Sequence, residues 1–298
     1  MIEYFFKVAD AYFSVQFTEP DIDNRDLIPT CAPFHVAKPD AEPMFTVVVS
    51  SNLVDAEPEG EEMGQFDCGG MTHGVFKTAD GYKFQLRNID GQMACAMKSH
   101  NRFSRCEVSL FGDENNRAYG LNNALMLAFA YAGAHHQIVL MHASVTVFKE
   151  RGYLFLGYSG TGKSTHSSLW IRHIPGCELL NDDNPAVRVV GNKVYVYGTP
   201  WSGKTPCYRN IEAPIGAFVQ LKQAPYNKIR RQTVIEAFAS LLPSCSVMKW
   251  DKRIYGGICT TVTHIMEHVP TYYLENLPDE AAVRLSYETI TAQPSVAQ

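Results

Sequence analysis

The sequence lacks three patterns, each of which would point to a class of protein. Its eight cysteines form no C-x-x-C pair and have irregular spacings, so we expect neither a zinc site nor a disulfide framework. It has no run of about 18 apolar residues, so we expect no membrane partner. It has no basic excess, because 26 Lys and Arg stand against 31 Asp and Glu, and this argues against a nucleic-acid partner.

The first residues, MIEYFFK, also lack the basic region, apolar core and cleavage site of a secretion signal. We therefore expect a cytoplasmic protein whose thiols are free and mostly buried. The length of 298 residues suggests two domains of roughly 100–200 residues each. The composition leaves open whether the protein forms a homo-oligomer.

Residues 1–116 have the pattern of β structure. An apolar, β-branched run covers 44–50, and Asp80-Gly81 supplies turn chemistry between strands at 75–78 and 82–87. Further strands at 93–97 and 105–111 complete a predicted antiparallel meander. The proline-rich stretch 19–43 is predicted to be loop.

The pattern changes after residue 116. An Ala-rich, proline-free stretch at 117–137 predicts one long, buried connecting helix. Beyond it, residues 138–148 predict a single strand, and shorter apolar runs predict others at 152–157, 187–190, 193–197 and 217–221. Residues 233–242 and 279–290 predict helices, and the tail at 291–298 is predicted to be frayed.

The most informative segment is GYSGTGKST at residues 157–165, which satisfies G-x-x-x-x-G-K-[ST] at every position. An apolar strand precedes it and a helical pattern follows it. Glycines let successive backbone N–H groups turn inward around a phosphate, and the helix start adds positive dipole. The predicted nucleotide-binding residues are Gly157, Ser159, Gly160, Thr161, Gly162, Lys163, Ser164 and Thr165.

Within this motif, each polar residue has an expected task. Lys163 would reach the β- and γ-phosphates, and the Ser164 hydroxyl would hold Mg²⁺. Asp182 and Asp183 follow the lysine by about twenty residues, at the end of an apolar run. An Mg²⁺–nucleotide site needs a carboxylate near the metal, and phosphoryl transfer to a hydroxyl is helped by a carboxylate that accepts the proton. The two aspartates could share these tasks.

Three further residues are weaker candidates. His142 lies in a predicted apolar strand, where a histidine is more often a hydrogen-bonded core residue than a catalytic one. Lys204 and Arg209 are candidate cations for the transferring phosphoryl group, although both could be ordinary loop charges.

Taken together, His142-Ala-Ser, the loop at 157–165 and Leu180-Asn-Asp-Asp resemble the C-terminal domain of the HPr kinase/phosphorylase family. That fold is shared with the ATP-dependent phosphoenolpyruvate carboxykinases. The resemblance covers about residues 138–290. It implies an α/β P-loop kinase domain with a mixed sheet, preceded here by a smaller β-rich domain at 1–116.

The resemblance implies a catalytic set of Asp183, Lys163 and His142. Asp183 matches the carboxylate that accepts the substrate proton, and His142 matches a histidine that meets phosphate. Asp182 matches an acidic neighbour that serves the metal, with Ser164. In the carboxykinases the second aspartate takes the metal role, so the division of labour stays open. ATP and Mg²⁺ are the implied cofactors.

The sequence departs from the family at two places. The family's Glu-x-Arg-Gly-x-Gly segment corresponds here to residues 198–204, which contain no carboxylate, and its Pro-Gly-Arg-Asn segment is missing. These differences argue against HPr as the acceptor. We expect a kinase with an unidentified hydroxyl acceptor, which could be a small molecule, a peptide or a protein. The alternatives are a nucleotide-binding regulatory or assembly protein without turnover and, more remotely, a carboxykinase.

Overall fold

The computed structural model describes residues 1–68, 71–203 and 205–291, and the chain forms two compact units, Met1–His136 and Gln137–Gln298. Each unit contains a large mixed β-sheet with helices packed on it. The chain is therefore a mixed α/β protein. The predicted tail at 291–298 lies outside the described residues except for residue 291.

The first unit contains a nine-stranded sheet in the order β3-β1-β2-β4-β9-β8-β7-β6-β5. The predicted antiparallel meander corresponds to β6 to β9, and β5, which was not predicted, extends it. Strand β4 pairs in parallel with β2 and β9. The predicted loop at 19–43 contains two short 3-10 helices, Arg25–Leu27 and Pro29–Phe34. The strands are β1 (Ile2–Val8), β2 (Ala11–Phe17), β3 (His35–Val36), β4 (Phe45–Val49), β5 (Glu61–Cys68), β6 (Met71–Lys77), β7 (Gly81–Arg87), β8 (Met93–His100) and β9 (Arg105–Leu110).

One long helix, α1 (Glu114–Gly133), packs on this sheet. It begins where the Asp113 carboxylate accepts a hydrogen bond from the Asn116 backbone N–H. Its Phe129 ring packs edge-on against Phe13 and Phe45, which stack on each other with ring centroids 4.9 Å apart. The sequence pattern set this helix apart as a connection, but its aromatic face makes it part of the first unit's core.

The second unit contains another nine-stranded mixed sheet. Its main path runs β10-β14-β15-β16-β12-β11-β13, and β18 pairs with β16 and β17. The strands are β10 (Ile138–Leu140), β11 (Ala143–Phe148), β12 (Arg151–Leu156), β13 (Glu178–Asp183), β14 (Ala186–Val190), β15 (Lys193–Tyr197), β16 (Glu212–Gln223), β17 (Lys228–Arg231) and β18 (Thr271–Asn276). The helices are α2 (Lys163–His173), α3 (Val234–Leu241), α4 (Lys252–His268) and α5 (Glu280–Thr291).

Strand β12 occupies the middle of this sheet. All of its residues after Arg151 are buried, as expected for a strand covered on both faces. It pairs in parallel with β16 and antiparallel with β11. On one face, Tyr153 and Phe155 pack against Trp170 of α2, and a buried cluster continues to Val283 of α5. This packing fixes α2 directly over the strand that leads into it.

The structure differs from the sequence pattern at several places in this unit, among them strands β17 and β18, which were not predicted. Residues 138–148 form two strands, because the chain breaks at Met141 and His142 between β10 and β11. Helix α4 was not predicted, although its buried positions 254, 258, 261, 262 and 265 follow a helical spacing. In the described part of the chain, no helix has both the length and the apolar content to cross a bilayer.

The close approach of α1 to β8 generates a test. A Cβ added at Gly120 would lie 2.6 Å from the Ala94 carbonyl oxygen. Gly to Ala normally stabilises a helix interior by up to about 1 kcal/mol. We expect Gly120→Ala to lower the free energy of unfolding instead, by about 1–3 kcal/mol, because the backbone of β8 must move. Urea denaturation measures this, with Asn115→Ala, at an exposed position of the same helix, as the control. A stabilised Gly120→Ala variant would contradict the packing.

Candidate functional site

The loop between β12 and α2 forms a compact turn. The Thr161 N–H and hydroxyl both donate to the Tyr158 carbonyl oxygen, at 3.2 and 2.8 Å. The side chain of Gln223, at the end of β16, donates to the Gly160 carbonyl oxygen at 3.0 Å. The strand before the loop and the helix after it are confirmed, and phosphate binding by the loop stays a prediction.

Two glycines of the loop are required by its backbone. Gly157 has φ +149° and Gly162 has φ +98°, a range that favours glycine. A Cβ at Gly157 would also collide with the Thr161 side chain. Gly162 caps α2 without any side-chain hydrogen bond, so the first backbone N–H groups of the helix have no side-chain acceptor at the cap. Ser164 and Thr165 stand exposed in this first turn.

Lys163 lies inside the curve of the loop and is 9% exposed. Its Nζ donates to the carbonyl oxygens of Gly157 at 2.9 Å and Tyr158 at 3.3 Å. Burial lowers the pKa of Lys163 from its usual value, and the charges of Asp183 and Asp182 oppose this effect. The lysine is therefore within electrostatic reach of both carboxylates.

Sheet order brings the acid pair to the loop. Ala143, the first residue of β11, pairs with Leu156 on one side and with Asp183 on the other. Because each strand spacing is about 4.8 Å, the end of β12 and the end of β13 lie about 10 Å apart, separated only by β11. The predicted loop and the predicted acid pair thus belong to one edge of one sheet.

The two aspartates face opposite sides of the sheet, since successive residues of a strand alternate. Asp182 pairs with Ser144, whose hydroxyl accepts a hydrogen bond of 2.6 Å from Ser167 of α2. Asp182 therefore points to the face covered by the helix that carries Lys163. Its side chain is 5% exposed and has no hydrogen-bond or ion-pair partner among the described residues.

Asp183 points to the other face and meets His142. Its Oδ1 lies 2.9 Å from His142 Nδ1, and its Oδ2 accepts a hydrogen bond of 2.8 Å from Asn184. His142 is exposed and sits at the break before β11, so it is a surface residue beside a carboxylate and the alternative of a core histidine is wrong. His142 is exposed because the chain breaks between β10 and β11, and the continuous apolar pattern of residues 138–148 gave no sign of that break.

The end of β13 is held by polar groups that sequence reasoning did not assign. Asn181 is fully buried, and its Oδ1 accepts from the Asp183 backbone N–H at 3.1 Å while its amide donates to Thr199. The Gly203 N–H donates to the Asp182 carbonyl oxygen at 2.7 Å. The sequence did contain a signal for this role, because Asn181 is a polar residue in an apolar strand and directly precedes the two aspartates.

Arg209, one of the two predicted cations, does not join this group. Arg209 donates to the Leu179 carbonyl oxygen at 2.6 Å and pairs with Glu178 at 2.9 Å. These partners lie at the start of β13, four and five residues before Asp183, which is about 13–17 Å along the strand. Lys204 lies outside the described residues.

Two cavities flank the loop within the second unit. The first, of about 720 Å³, borders His142, Gly157 and Tyr158, together with Ala239 and Ser240 near the end of α3. The second, of about 660 Å³, borders Gly162 and Thr165. Both volumes fall in the range of small-molecule sites.

Helix α2 is anchored to α5 by a buried polar network. His166 Nε2 and Trp170 Nε1 both contact the Ser286 hydroxyl, at 3.2 and 3.0 Å. Burial lowers the pKa of His166 to about 4, so its ring is neutral at pH 7. The network holds in place the helix whose first turn faces the loop.

This anchor is testable. Ser286→Ala leaves two buried nitrogen atoms without their partner, so we expect the free energy of unfolding to fall by about 2–4 kcal/mol. Chemical denaturation measures the loss. Thr289→Ala on the same helix removes only a hydroxyl that bonds to its own helix, at Leu285, and is expected to change stability little. Equal effects of the two substitutions would contradict the anchoring role.

No family model and no curated protein matches the chain. Among solved structures, the chain is similar to the Hpr(Ser) kinase/phosphatase from Coxiella burnetii, with a TM-score of 0.29 and 13% identity over 50% of this chain and 97% of that one. Likeness at this level identifies no family for the chain.

Proposed function

We propose that the second unit is an ATP- and Mg²⁺-dependent kinase that transfers the γ-phosphoryl group to a hydroxyl of an acceptor. The observation that supports this proposal is that Lys163 follows a glycine loop at a helix start while the charges of Asp183 and Asp182, at the same end of the sheet, act on its pKa. Phosphoryl transfer needs chiefly positioning and charge stabilisation, and this arrangement offers both.

The loop would bind the phosphates. Helix starts favour anions, because their N–H groups have no intrahelical acceptor and the dipole is positive there. The exposed Ser164 and Thr165 add hydroxyls to the same turn. The Lys163 ammonium would exchange its carbonyl partners in the loop for phosphate oxygens.

Two residues fit a magnesium ion. Mg²⁺ prefers oxygen ligands and is often held by one or two side chains together with substrate phosphates. Asp182 supplies a carboxylate with no protein partner in the described structure, facing the helix that carries Ser164. A bound Mg²⁺ would neutralise charge on the phosphates. Asp182 and Ser164 are therefore our candidates for the metal.

Asp183 is then left as the proton acceptor. It lies on the opposite face from Asp182 and contacts His142, which borders the first cavity. The acceptor hydroxyl would give its proton to Asp183 while its oxygen bonds to the γ-phosphorus and the bond to the bridging oxygen breaks, releasing ADP. His142 would orient the carboxylate through the 2.9 Å contact.

One observation favours a second candidate, a nucleotide-binding regulatory protein without turnover. Both oxygens of Asp183 already have partners in His142 and Asn184. ADP release by the wild-type protein, with hydroxyl acceptors present, separates this candidate from the kinase.

The phosphate-binding role is tested at Lys163. Lys163→Met keeps most of the apolar stem and removes the charge, so we expect Mg²⁺–ATP binding to weaken about 100-fold, roughly 3 kcal/mol. Isothermal calorimetry measures this. Lys193→Met, at an exposed strand position distant in sequence from the loop, is the matched control and should bind as the wild type does. Unchanged affinity in Lys163→Met would remove the basis of the proposal.

The base is tested at Asp183. Asp183→Asn should retain ATP binding and lose transfer by a factor of about 10²–10⁴, since the amide cannot accept the proton. The measurement is ADP release with a panel of hydroxyl acceptors, beside calorimetry of ATP. Asp90→Asn, in an exposed turn of the first unit, controls for the charge change. Full activity of Asp183→Asn would assign the base elsewhere.

A further inference from the structure

The first cavity lies on the face of the second unit's sheet that carries Asp183. Five residues pair side by side across the adjacent strands β13, β11, β12, β16 and β18, namely Asp183, Ala143, Leu156, Gln220 and Tyr273. Paired residues of neighbouring strands point to the same face of a sheet. Phe155, the residue before Leu156, packs on α2, so the row points to the face opposite α2. Gln220 and Tyr273 line the cavity.

The cavity reaches from the candidate base to the far side of the loop. At one end it borders His142, which contacts Asp183 and directly precedes β11, and at the other end it borders Tyr273 of β18. These two strands are three strand spacings apart, which is about 14 Å. A volume of about 720 Å³ over that length suits an elongated small molecule, because concave sites of this size enclose most of a small ligand.

The end of the cavity away from His142 carries a positive charge. Lys222 lies two residues after Gln220 on β16, so its side chain points to the same face. It is exposed, and it is the one lysine or arginine among the described residues that line the cavity, which include no aspartate or glutamate. Glu275, the neighbour of Lys222 on β18, bonds to Tyr226 at 3.3 Å and forms no ion pair with Lys222 in the described structure. An anionic group therefore fits this end.

Two aromatic rings form part of the cavity wall. Tyr158 of the loop is 80% exposed, Tyr273 is half-buried, and both line the cavity. The Arg230 guanidinium lies 5.1 Å from the centre of the Tyr273 ring and is itself fixed by two hydrogen bonds to Glu236. The wall therefore offers apolar surface to the stem of a ligand whose two ends are polar.

We propose that the first cavity binds the phosphoryl acceptor, and that this acceptor is a small molecule with a hydroxyl at one end, an apolar stem and an anionic group that Lys222 binds. This inference rests on the proposed function, because Asp183 must act as the base. The acceptor oxygen bonds to the γ-phosphorus, its proton passes to Asp183, and the bond from phosphorus to the bridging oxygen breaks to release ADP. The anionic group is a carboxylate or a phosphate monoester, which share the charge that Lys222 requires.

Calorimetry of the full chain with Mg²⁺–ADP tests the acceptor site, since ADP excludes turnover. The probes are 8-hydroxyoctanoate, 8-hydroxyoctyl phosphate and the neutral 8-hydroxyoctanamide, which have stems of the same length. We expect the better of the two anions to bind about 10-fold more tightly than the amide, because a hydrogen bond between two charged groups is stronger than one to a neutral group. The tighter anion identifies the anionic group of the acceptor.

Lys222→Met keeps most of the apolar stem and removes the charge, so it should abolish the preference for the anion. Lys228→Met is the matched control, because Lys228 is an exposed lysine of β17 that does not line the cavity. This control should bind all three probes as the wild type does. A wild type that binds the amide as tightly as both anions, or a Lys222→Met variant that keeps the preference, would overturn the inference.

ADP release from Mg²⁺–ATP separates this inference from the proposed function. The preferred hydroxyl anion should raise ADP release, whereas the same anion without its hydroxyl, octanoate or octyl phosphate, should bind and raise none. If the hydroxyl anion binds through Lys222 and ADP release does not rise, the kinase assignment is wrong and the cavity is an anion site of a protein without turnover. If the peptide Gly-Gly-Ser-Gly-Gly raises ADP release and neither anion binds, the kinase assignment stands and the small-molecule acceptor is wrong.

Discussion

The pairing of β11 with two neighbours is the constraint on which the candidate site depends. Ala143 pairs with Leu156, the last residue before the loop, and with Asp183 at the end of β13. The position of this one residue therefore sets the distance between the loop at 157–165 and the acid pair. A slip of one residue in either register would send Asp182 and Asp183 to each other's faces. The buried contact between Ser144 and Ser167 fixes the same register from the helix side.

Much of this site could be predicted because its signals are local. The loop, its lysine and the strand and helix around it occupy consecutive residues, and a glycine pattern specifies such a turn without tertiary information. The acid pair was found for the same reason. Strand order decides whether the acid pair lies near the loop, and a sequence does not show strand order directly. The expectation that they lie close together came from the resemblance to known kinases.

What sequence reasoning missed depends on distant contacts. The break before His142 is invisible in an apolar run, because the pairing of β10 with β14 and of β11 with β12 and β13 decides where each strand ends. Arg209 looked like a free cation, but its partners lie about thirty residues earlier in the chain. The helical pattern of α1 was read correctly, but the helix packs in the core of the first unit and was expected to be a connection. Its aromatic contacts come from strands up to 116 residues away in sequence, so the sequence pattern could not show them.

The lysine of the loop has a consequence for how a ligand arrives. Lys163 donates hydrogen bonds to two carbonyl groups of the loop for which we propose phosphate binding. These bonds hold the loop in shape before any ligand comes, so little rearrangement is needed. Because of these bonds, ligand binding would be an exchange in which the Lys163 ammonium leaves the loop carbonyl oxygens and bonds to oxygens of the ligand. The measured binding free energy would then be the difference between the bonds of Lys163 to the ligand and its bonds to the loop carbonyls. A site with many polar contacts would therefore bind its ligand only moderately and release it quickly.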